Sequence, residues 1–192
     1  MYAAVDNLKS YLDISGTTED VLLAQIIARA QHTLETQTGK VFEATADSTK
    51  TYDAITDVDG NTLTVDWLCS ITSITNGDSA VLAATDYVTQ PRNTAPYYAI
   101  RLLASSGLAW TYDDDHENAI TIVGKFAYTD QNTGAVWGPA SDACLELAMH
   151  LYRLRANAGD LDRPLIVGNT TILPAQWPQN VRMFIESVRS LH

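Results

Sequence analysis

The chain is poor in the residue types from which most metal sites and nucleophilic active sites are built. Its 192 residues include two cysteines and four histidines, and no Cys-x-x-Cys pair or metal-type histidine spacing occurs among them. The sequence therefore gives no support to a zinc site or to a disulfide framework. We interpret Cys69 and Cys144 as small buried apolar residues of a protein in a reducing compartment.

Long hydrophobic runs are also missing. No apolar run approaches the roughly 18 residues that a helix needs to cross a bilayer. The first residues, Met1 to Asp6, contain neither a basic region nor an apolar signal core. We therefore predict that the protein is not secreted and has no membrane partner.

Basic residues are scarce. Twelve Lys and Arg stand against 23 Asp and Glu, which gives a formal net charge of −11. The excess lies in residues 1–137, with eighteen acids and seven bases, whereas residues 138–192 hold five of each. Wrapping nucleic acid requires clustered Lys and Arg, so this composition argues against it. An acidic surface past which DNA slides without sticking is compatible with the same charges.

The polar clusters lack a catalytic pattern. The densest is Asp-Asp-Asp-His-Glu-Asn at residues 113–118, whose carboxylates are of the type that binds calcium or magnesium. It lacks the spaced ligands and the positioned glycine of an EF-hand loop, so we interpret it as a solvated turn before a strand. No nucleophile elbow and no phosphate-binding loop occurs. We predict that the protein is not an enzyme and needs no metal or cofactor.

Helical periodicity is confined to the two ends of the chain. A short helix over residues 7–13 follows Asp6 as a capping residue, and a longer helix begins after Thr17 or Thr18 and ends at Gly39. Five apolar residues of the longer helix recur at helical spacing: Leu23, Ile26, Ile27, Ala30 and Leu34.

Two more helices are predicted after residue 138. The third begins at Pro139 and is apolar over most of its circumference, which is typical of a helix with more than one neighbour. The fourth spans residues 179–191. We predict that residues 17–39 pack against residues 139–158, because each segment has an apolar stripe too wide to be left in water.

The middle of the chain has the composition of β-structure. β-branched residues and partial alternation predict strands at residues 41–45, 62–65, 70–74, 97–103 and 119–123. Turn signals occur at Asp59-Gly60-Asn61 and Asn76-Gly77-Asp78. We expect six to eight short antiparallel strands in a small sandwich or open barrel.

The predicted fold class is therefore α+β, a helical bundle formed by the N- and C-terminal helices with an inserted antiparallel β-rich subdomain. We place the helical part in residues 1–40 and 138–192, and the β-rich insertion in residues 41–137. Together they are expected to form a single structural unit.

The last third of the chain contains the candidate partner-binding residues. The segment 160–177 is too long for an ordinary connection between helices, yet it holds an apolar triplet. Trp177 is the type of large aromatic residue that anchors interfaces, and Arg182 and Arg189 share a helix face from which they can pair with acids on a partner. The full set is Leu165, Ile166, Val167, Trp177, Arg182 and Arg189.

Two groups of motifs, one at each end of the chain, point to a known family. The first comprises Leu8-Lys9-x-x-Leu12, Thr-Thr-Glu-Asp at residues 17–20, the long helix, and the closing Glu35 to Phe42. The second comprises Gly-Lys-Phe-Ala-Tyr at 124–128, Trp-Gly-Pro-Ala at 137–140, Leu151-Tyr152-x-x-Arg155 and Ile-Leu-Pro at 172–174. Across residues 1–45 and 118–192 the chain resembles the head–tail connector (adaptor) proteins of long-tailed bacteriophages.

The resemblance implies a structural virion protein. Its members form an oligomeric ring, usually a dodecamer, beneath the portal of the filled capsid, where the ring extends the DNA channel and joins the capsid to the next neck or tail protein. The helices build the ring, a C-terminal segment grips the portal protein, and DNA passes without specific binding. The implied location is the head–tail interface of the virion, with the host cytoplasm during viral assembly.

Two alternatives stay open. The chain is also compatible with another neck or tail-completion protein, or with a metal- or ligand-binding enzyme domain whose site lies in the β region at residues 113–117. Metal dependence would favour the enzyme, and ring formation would favour the connector. For a ring, we predict a lumen lined mainly by residues from the acidic first two-thirds of the chain.

Overall fold

The structure, a computed structural model, describes residues 1–156, 165–167, 170–172 and 177–189. The chain divides into two compact units. The helical unit comprises residues 1–40 and 138–192, and the β unit comprises residues 41–137. The α+β fold class is confirmed, because N- and C-terminal helices pack together and antiparallel sheets lie between them in the sequence. The assignment of ring formation and portal docking to the helical part stays a prediction.

Four helices are described in the helical unit: α1 Val5–Leu12, α2 Asp20–Thr38, α3 Gly138–Ala156 and α4 Gln179–Arg189. All five apolar residues predicted to line one face of α2 are buried. Helix α3 packs against α1, α2 and α4, so the predicted pairing of residues 17–39 with residues 139–158 is confirmed. The Sγ atom of Cys144 donates to the carbonyl oxygen of Ile27 at 3.8 Å, which shows how closely α3 approaches α2.

The ends of these helices follow the predictions in part. Gly39 ends α2 with φ 68°, and its N–H donates to the carbonyl oxygen of Glu35 at 2.8 Å. The predicted side-chain caps at the other ends are wrong, because Ala4 and Glu19 occupy the N-cap positions and neither makes a side-chain cap bond. Asp6 lies inside the first turn of α1, where its charge favours the positive end of the helix.

The β unit contains seven strands in two antiparallel sheets, in agreement with the expected six to eight. The strands are β1 Ser48–Tyr52, β2 Val58–Asp59, β3 Thr62–Leu68, β4 Ser70–Thr75, β5 Tyr87–Gln90, β6 Tyr97–Leu102 and β7 Ile120–Lys125. One sheet has the strand order β1-β7-β4, and the other has the order β2-β3-β6-β5. Both sheets contribute to one hydrophobic core, with residues such as Leu63 and Ile100 from one and Ile74 and Ile122 from the other.

The strand predicted at residues 41–45 is absent from the described chain. The backbone groups there bond to an irregular segment instead: the N–H of Tyr128 donates to the Val41 oxygen at 2.7 Å, and the N–H of Ala44 donates to the Gly134 oxygen at 2.9 Å. The apolar side chains of this stretch therefore indicate burial rather than sheet pairing. Phe42, for example, is fully buried and forms an edge contact with Tyr128.

A third, two-stranded sheet lies within the segment that the sequence presents as a linker. Strand β8, Leu165–Val167, pairs antiparallel with strand β9, Thr170–Ile172. The predicted linker at residues 160–177 therefore contains two short strands. The remainder of the predicted linker before Trp177, and the predicted ends of α3 and α4 at residues 158 and 191, lie outside the described residues.

Candidate partner-binding and acidic surfaces

Two basic side chains link the C-terminal ends of α2 and α4. The Nζ atom of Lys40, directly after α2, donates to the carbonyl oxygen of Val188 in α4 at 2.8 Å. In return, the Arg189 guanidinium donates to the backbone oxygen of Gln37 and, at 2.9 Å, to its Oε1 atom. The last carbonyls of a helix lack intrahelical partners and carry partial negative charge. Each helix end is therefore stabilised by a basic residue that the other helix positions.

Lys40 is a residue whose role the sequence did not reveal. It is only 4% exposed, and the loss of hydration on burial lowers its pKa below the ordinary value for lysine. A buried ammonium requires acceptors, and the Val188 carbonyl is one of them. Lys40 thus fixes the position of α4 on α2 rather than contributing to a solvated basic surface.

The six predicted partner-binding residues differ in their surroundings. Arg182 and Arg189 are exposed on α4, and Trp177, two residues before that helix, is half-buried. Leu165, Ile166 and Val167 form β8. Arg189 is already bound to Gln37, so its guanidinium has a structural role within this chain. The partner-binding role of all six stays a prediction.

Helix α4 has a buried and an exposed face. Val181, Ile185 and Val188 are buried. The opposite face presents Arg182 and Met183, and the Met183 side chain is 57% exposed.

The negative charge of the protein belongs mainly to the β unit. That unit holds thirteen acids and four bases, whereas the helical unit holds ten acids and eight bases. The two units therefore account for nine and two of the eleven excess negative charges. The acidic region predicted from the sequence is in this way concentrated in one folded body.

The acidic residues 113–118 are tied to a second acidic turn. The Nδ1 atom of His116 lies 2.8 Å from Oδ2 of Asp53. The other oxygen of Asp53 accepts the N–H groups of Ile55 at 2.6 Å and Thr56 at 2.8 Å. The N–H of Thr56 is the largest influence that lowers the pKa of Asp53 to about 2, and the hydrogen bond to Asp53 raises the pKa of His116. The predicted solvated turn is thus held in place by an ion pair.

This pair predicts the pH dependence of the loop. Asp53→Asn removes the carboxylate that favours imidazolium, so the pKa of His116 is expected to fall, which an NMR titration of the ring protons would measure. In the parent, the contribution of His116 to the free energy of unfolding is complete below about pH 6.5. It is lost as the pH rises through the raised pKa of His116. The contribution of Asp53 is present above about pH 4 and is lost as the pH falls through about 2. An unchanged pKa of His116 in Asp53→Asn would contradict the pairing.

Within the described residues, no three His, Cys, Asp or Glu side chains converge as metal ligands. Both cysteines are free and buried; burial raises the pKa of Cys69, and it raises the pKa of Cys144 to about 12. Neither thiol is therefore a ready thiolate nucleophile at neutral pH. Among the described helices, none is long and apolar enough to span a bilayer.

The fold is similar to that of chains in phage-like particles. A chain in the neck of an empty GTA particle computed with C6 symmetry matches with a TM-score of 0.56 and 16% identity, over 98% of this chain and 89% of that chain. A chain in the neck of a native GTA particle computed with C12 symmetry matches with a TM-score of 0.56 and 17% identity, over 98% and 88%. A chain in the virion of a native gene transfer agent (GTA) particle matches with a TM-score of 0.53 and 18% identity, over 98% and 89%. No family model and no curated protein sequence matches this chain.

Proposed function

We propose that the protein is a head–tail connector of a phage-like virion, which forms a ring beneath the portal, extends the DNA channel and joins the capsid to the tail. The observation that carries the proposal is the likeness in fold to chains of GTA necks, which extends over 98% of this chain. Because the likeness extends over residues of both units, it is not confined to one common motif.

The charge distribution supports a role beside DNA. A channel wall must let a polyanion pass, so acidic side chains are favourable there and clustered bases are not. The β unit, with nine excess negative charges, is suited to such a wall. We propose that it supplies most of the lumen and that DNA passes without specific binding.

The helical unit is proposed to contact the portal. Helix α4 presents Arg182 and Met183 to solvent, and Trp177 precedes it. A basic residue beside exposed apolar side chains is suited to an acidic, partly apolar partner surface. The downstream neck or tail protein would bind the opposite side of the ring. In this proposal the protein has no catalytic activity and no cofactor.

Electron microscopy tests the proposed function. Negative-stain images of purified protein, alone and mixed with portal-bearing heads, are expected to show rings with a central channel, with twelve subunits as the proposed number. The absence of rings in both samples would overturn the connector proposal. Binding of the protein to tails but not to portal-bearing heads would instead favour a tail-completion protein. A micromolar calcium or magnesium site in calorimetry would favour the enzyme alternative.

The portal contact is tested by substitution on the exposed side of α4. Trp177→Ala with Arg182→Glu is expected to weaken binding to portal-bearing heads about 30-fold or more, because the loss of even one interface anchor of these types costs about 2 kcal/mol. The measurement is co-sedimentation with heads at graded protein concentrations. Arg29→Glu, on an exposed position of α2, is the control for charge reversal. Unchanged binding by the double variant would place the portal contact elsewhere on the protein.

A further inference from the structure

We infer that the four-stranded sheet of the β unit is itself a subunit contact, in which the arginine-bearing edge of one copy binds the aspartate-bearing edge of the next copy. We call these the arginine edge, formed by Arg92 and Arg101, and the aspartate edge, formed by Asp57 and Asp59. The inference deepens the proposed ring and rests on it, because it assigns to the β unit a contact that holds neighbouring copies together.

The arginine edge stands out because basic residues are so rare in this unit. Of its four bases, Lys50 pairs with Asp66 at 2.9 Å, and the Nζ atom of Lys125 donates to the Thr133 oxygen at 2.8 Å. The side chains of Arg92 and Arg101 are exposed, and neither makes a hydrogen bond or ion pair with the described part of the chain. Within a unit of net charge −9, these two exposed guanidinium groups are therefore available to carboxylates from outside the chain.

Both arginines lie in the half of the sheet formed by β6 and the end strand β5, with Arg101 one strand in from the edge. Strand β5 is an end strand, so the backbone groups on its outer side lack a strand partner within the described chain. Arg101, on β6, is paired in register with Val88 of β5. Arg92 follows β5 and lines, together with Val88, an open cleft of about 370 Å³. Arg92 is thus accessible to an incoming carboxylate.

The aspartate edge lies at the other end of the same sheet. Asp59 is in β2, the opposite end strand, and its exposed carboxylate accepts no hydrogen bond from the described residues. The second acid of the sheet strands, Asp66, is paired with Lys50. Asp57 lies two residues before Asp59 and extends the pairing, since its carbonyl accepts the N–H of Thr64 at 2.9 Å.

The register places the charges in one row across the sheet. Asp59 pairs with Thr62, Thr62 with Arg101, and Arg101 with Val88. Paired residues on neighbouring strands project to the same face. Asp59 and Arg101 therefore lie on one face of the sheet, with opposite charges toward its opposite edges.

This arrangement favours head-to-tail contact between copies. A surface whose complementary halves lie at opposite ends generates a heterologous contact, which closes into a ring when the rotation per copy permits. Repetition of one contact then satisfies the arginines and Asp59 of every copy. The occupant of the arginine edge is accordingly a second copy of this chain.

Charge reversal tests the contact through paired variants. The first variant carries Asp57→Asn and Asp59→Lys, in which asparagine keeps a side-chain oxygen for the bond that Asp57 accepts from the Asp53 N–H at 2.8 Å. The second carries Arg92→Glu and Arg101→Glu. Each variant alone brings like charges together at the contact. We expect the protein concentration required for ring assembly to rise at least tenfold, as measured by analytical ultracentrifugation and negative-stain imaging.

Recovery of ring assembly when the complementary substitutions are combined is the decisive result. An equimolar mixture of the two variants makes both contacts complementary again, so it is expected to form rings with alternating copies, and a chain carrying all four substitutions is expected to assemble alone. Asp78→Lys with Asp130→Lys changes two exposed acids outside the four-stranded sheet and serves as the charge control. Far-UV circular dichroism and thermal unfolding show whether each variant is folded.

The outcomes separate this inference from the proposed function. If the parent forms rings and Arg92→Glu with Arg101→Glu forms them equally well, the edge contact is wrong and the connector proposal survives. If either single-edge variant loses assembly but the mixture and the four-substitution chain do not recover it, the edge contact is also wrong. If the parent forms no rings even on portal-bearing heads, the connector proposal fails. In that case the edge contact is supported if the mixture of the two variants sediments as a heterodimer and is wrong if it does not.

Discussion

Replacing Leu147 by aspartate is expected to lower the free energy of unfolding of the helical unit by about 4 kcal/mol or more. Leu147 is fully buried in α3, the helix that packs against α1, α2 and α4. The substitution removes apolar contacts and places a carboxylate where hydration is lost. Urea denaturation followed by circular dichroism at 222 nm measures the change.

Val21→Asp is the matched control, because Val21 lies in the first turns of α2 with 73% of its side chain exposed. There the same change of chemistry is expected to alter the free energy of unfolding by less than about 0.5 kcal/mol, since aspartate is favourable near a helix N-terminus. If Leu147→Asp were as stable as the control, α3 could not be the central helix of the unit.

Gly124→Ala is expected to destabilise the β unit by about 3 kcal/mol. Gly124 lies in β7, the central strand of the three-stranded sheet, beside the irregular register of β4 between Ile71 and Ser73. A Cβ atom at this position would lie 2.2 Å from the Ser70 carbonyl oxygen and 3.1 Å from Cδ1 of Leu68. The first of these neighbours is backbone, so the two strands would have to separate.

Gly138→Ala is the control for this prediction. Gly138 is the first residue of α3, and a Cβ atom there would meet nothing within 4 Å. We expect it to cost less than about 1 kcal/mol, because no strand has to move and the only conflict is between the new Cβ atom and the ring of the following Pro139. Near-UV circular dichroism and tryptophan fluorescence report mainly on the β unit, which contains three of the four tryptophans, Trp67, Trp110 and Trp137. Equal stability of the two variants would show that the strands at Gly124 can separate without cost.

The helices were predictable because their burial has a simple period. The five apolar residues of α2 that recur at helical spacing are all buried, namely Leu23, Ile26, Ile27, Ala30 and Leu34. Strand β1 lacked such a signal: its sequence is Ser-Thr-Lys-Thr-Tyr, and only Tyr52 is buried. An end strand with a single buried residue has almost no alternation to detect. The strand prediction for residues 41–45 was wrong for the opposite reason. Apolar composition indicates burial but not the direction of backbone hydrogen bonds.

The contacts of the candidate site depended on residues far apart in the sequence. Lys40 and Val188 are 148 positions apart, and His116 and Asp53 are 63 apart. Local patterns carry no information about such pairs. The charge of each region was readable from the sequence, as was the helical position of Arg189. Its bond to Gln37 depends on the packing of α4 against α2, which only the tertiary structure specifies.

The order of the two units along the chain has a consequence for synthesis. The β unit is contiguous, so all of its residues have been synthesised before Gly138 is added to the chain. Gln37 is synthesised 152 residues before its partner Arg189. Helix α2 is likewise synthesised before α3, against which it packs. Contacts this distant in sequence form slowly, because a long loop must close first. We therefore expect the nascent chain to expose the apolar stripe of α2 until late in translation, which makes this stage of folding the most prone to aggregation.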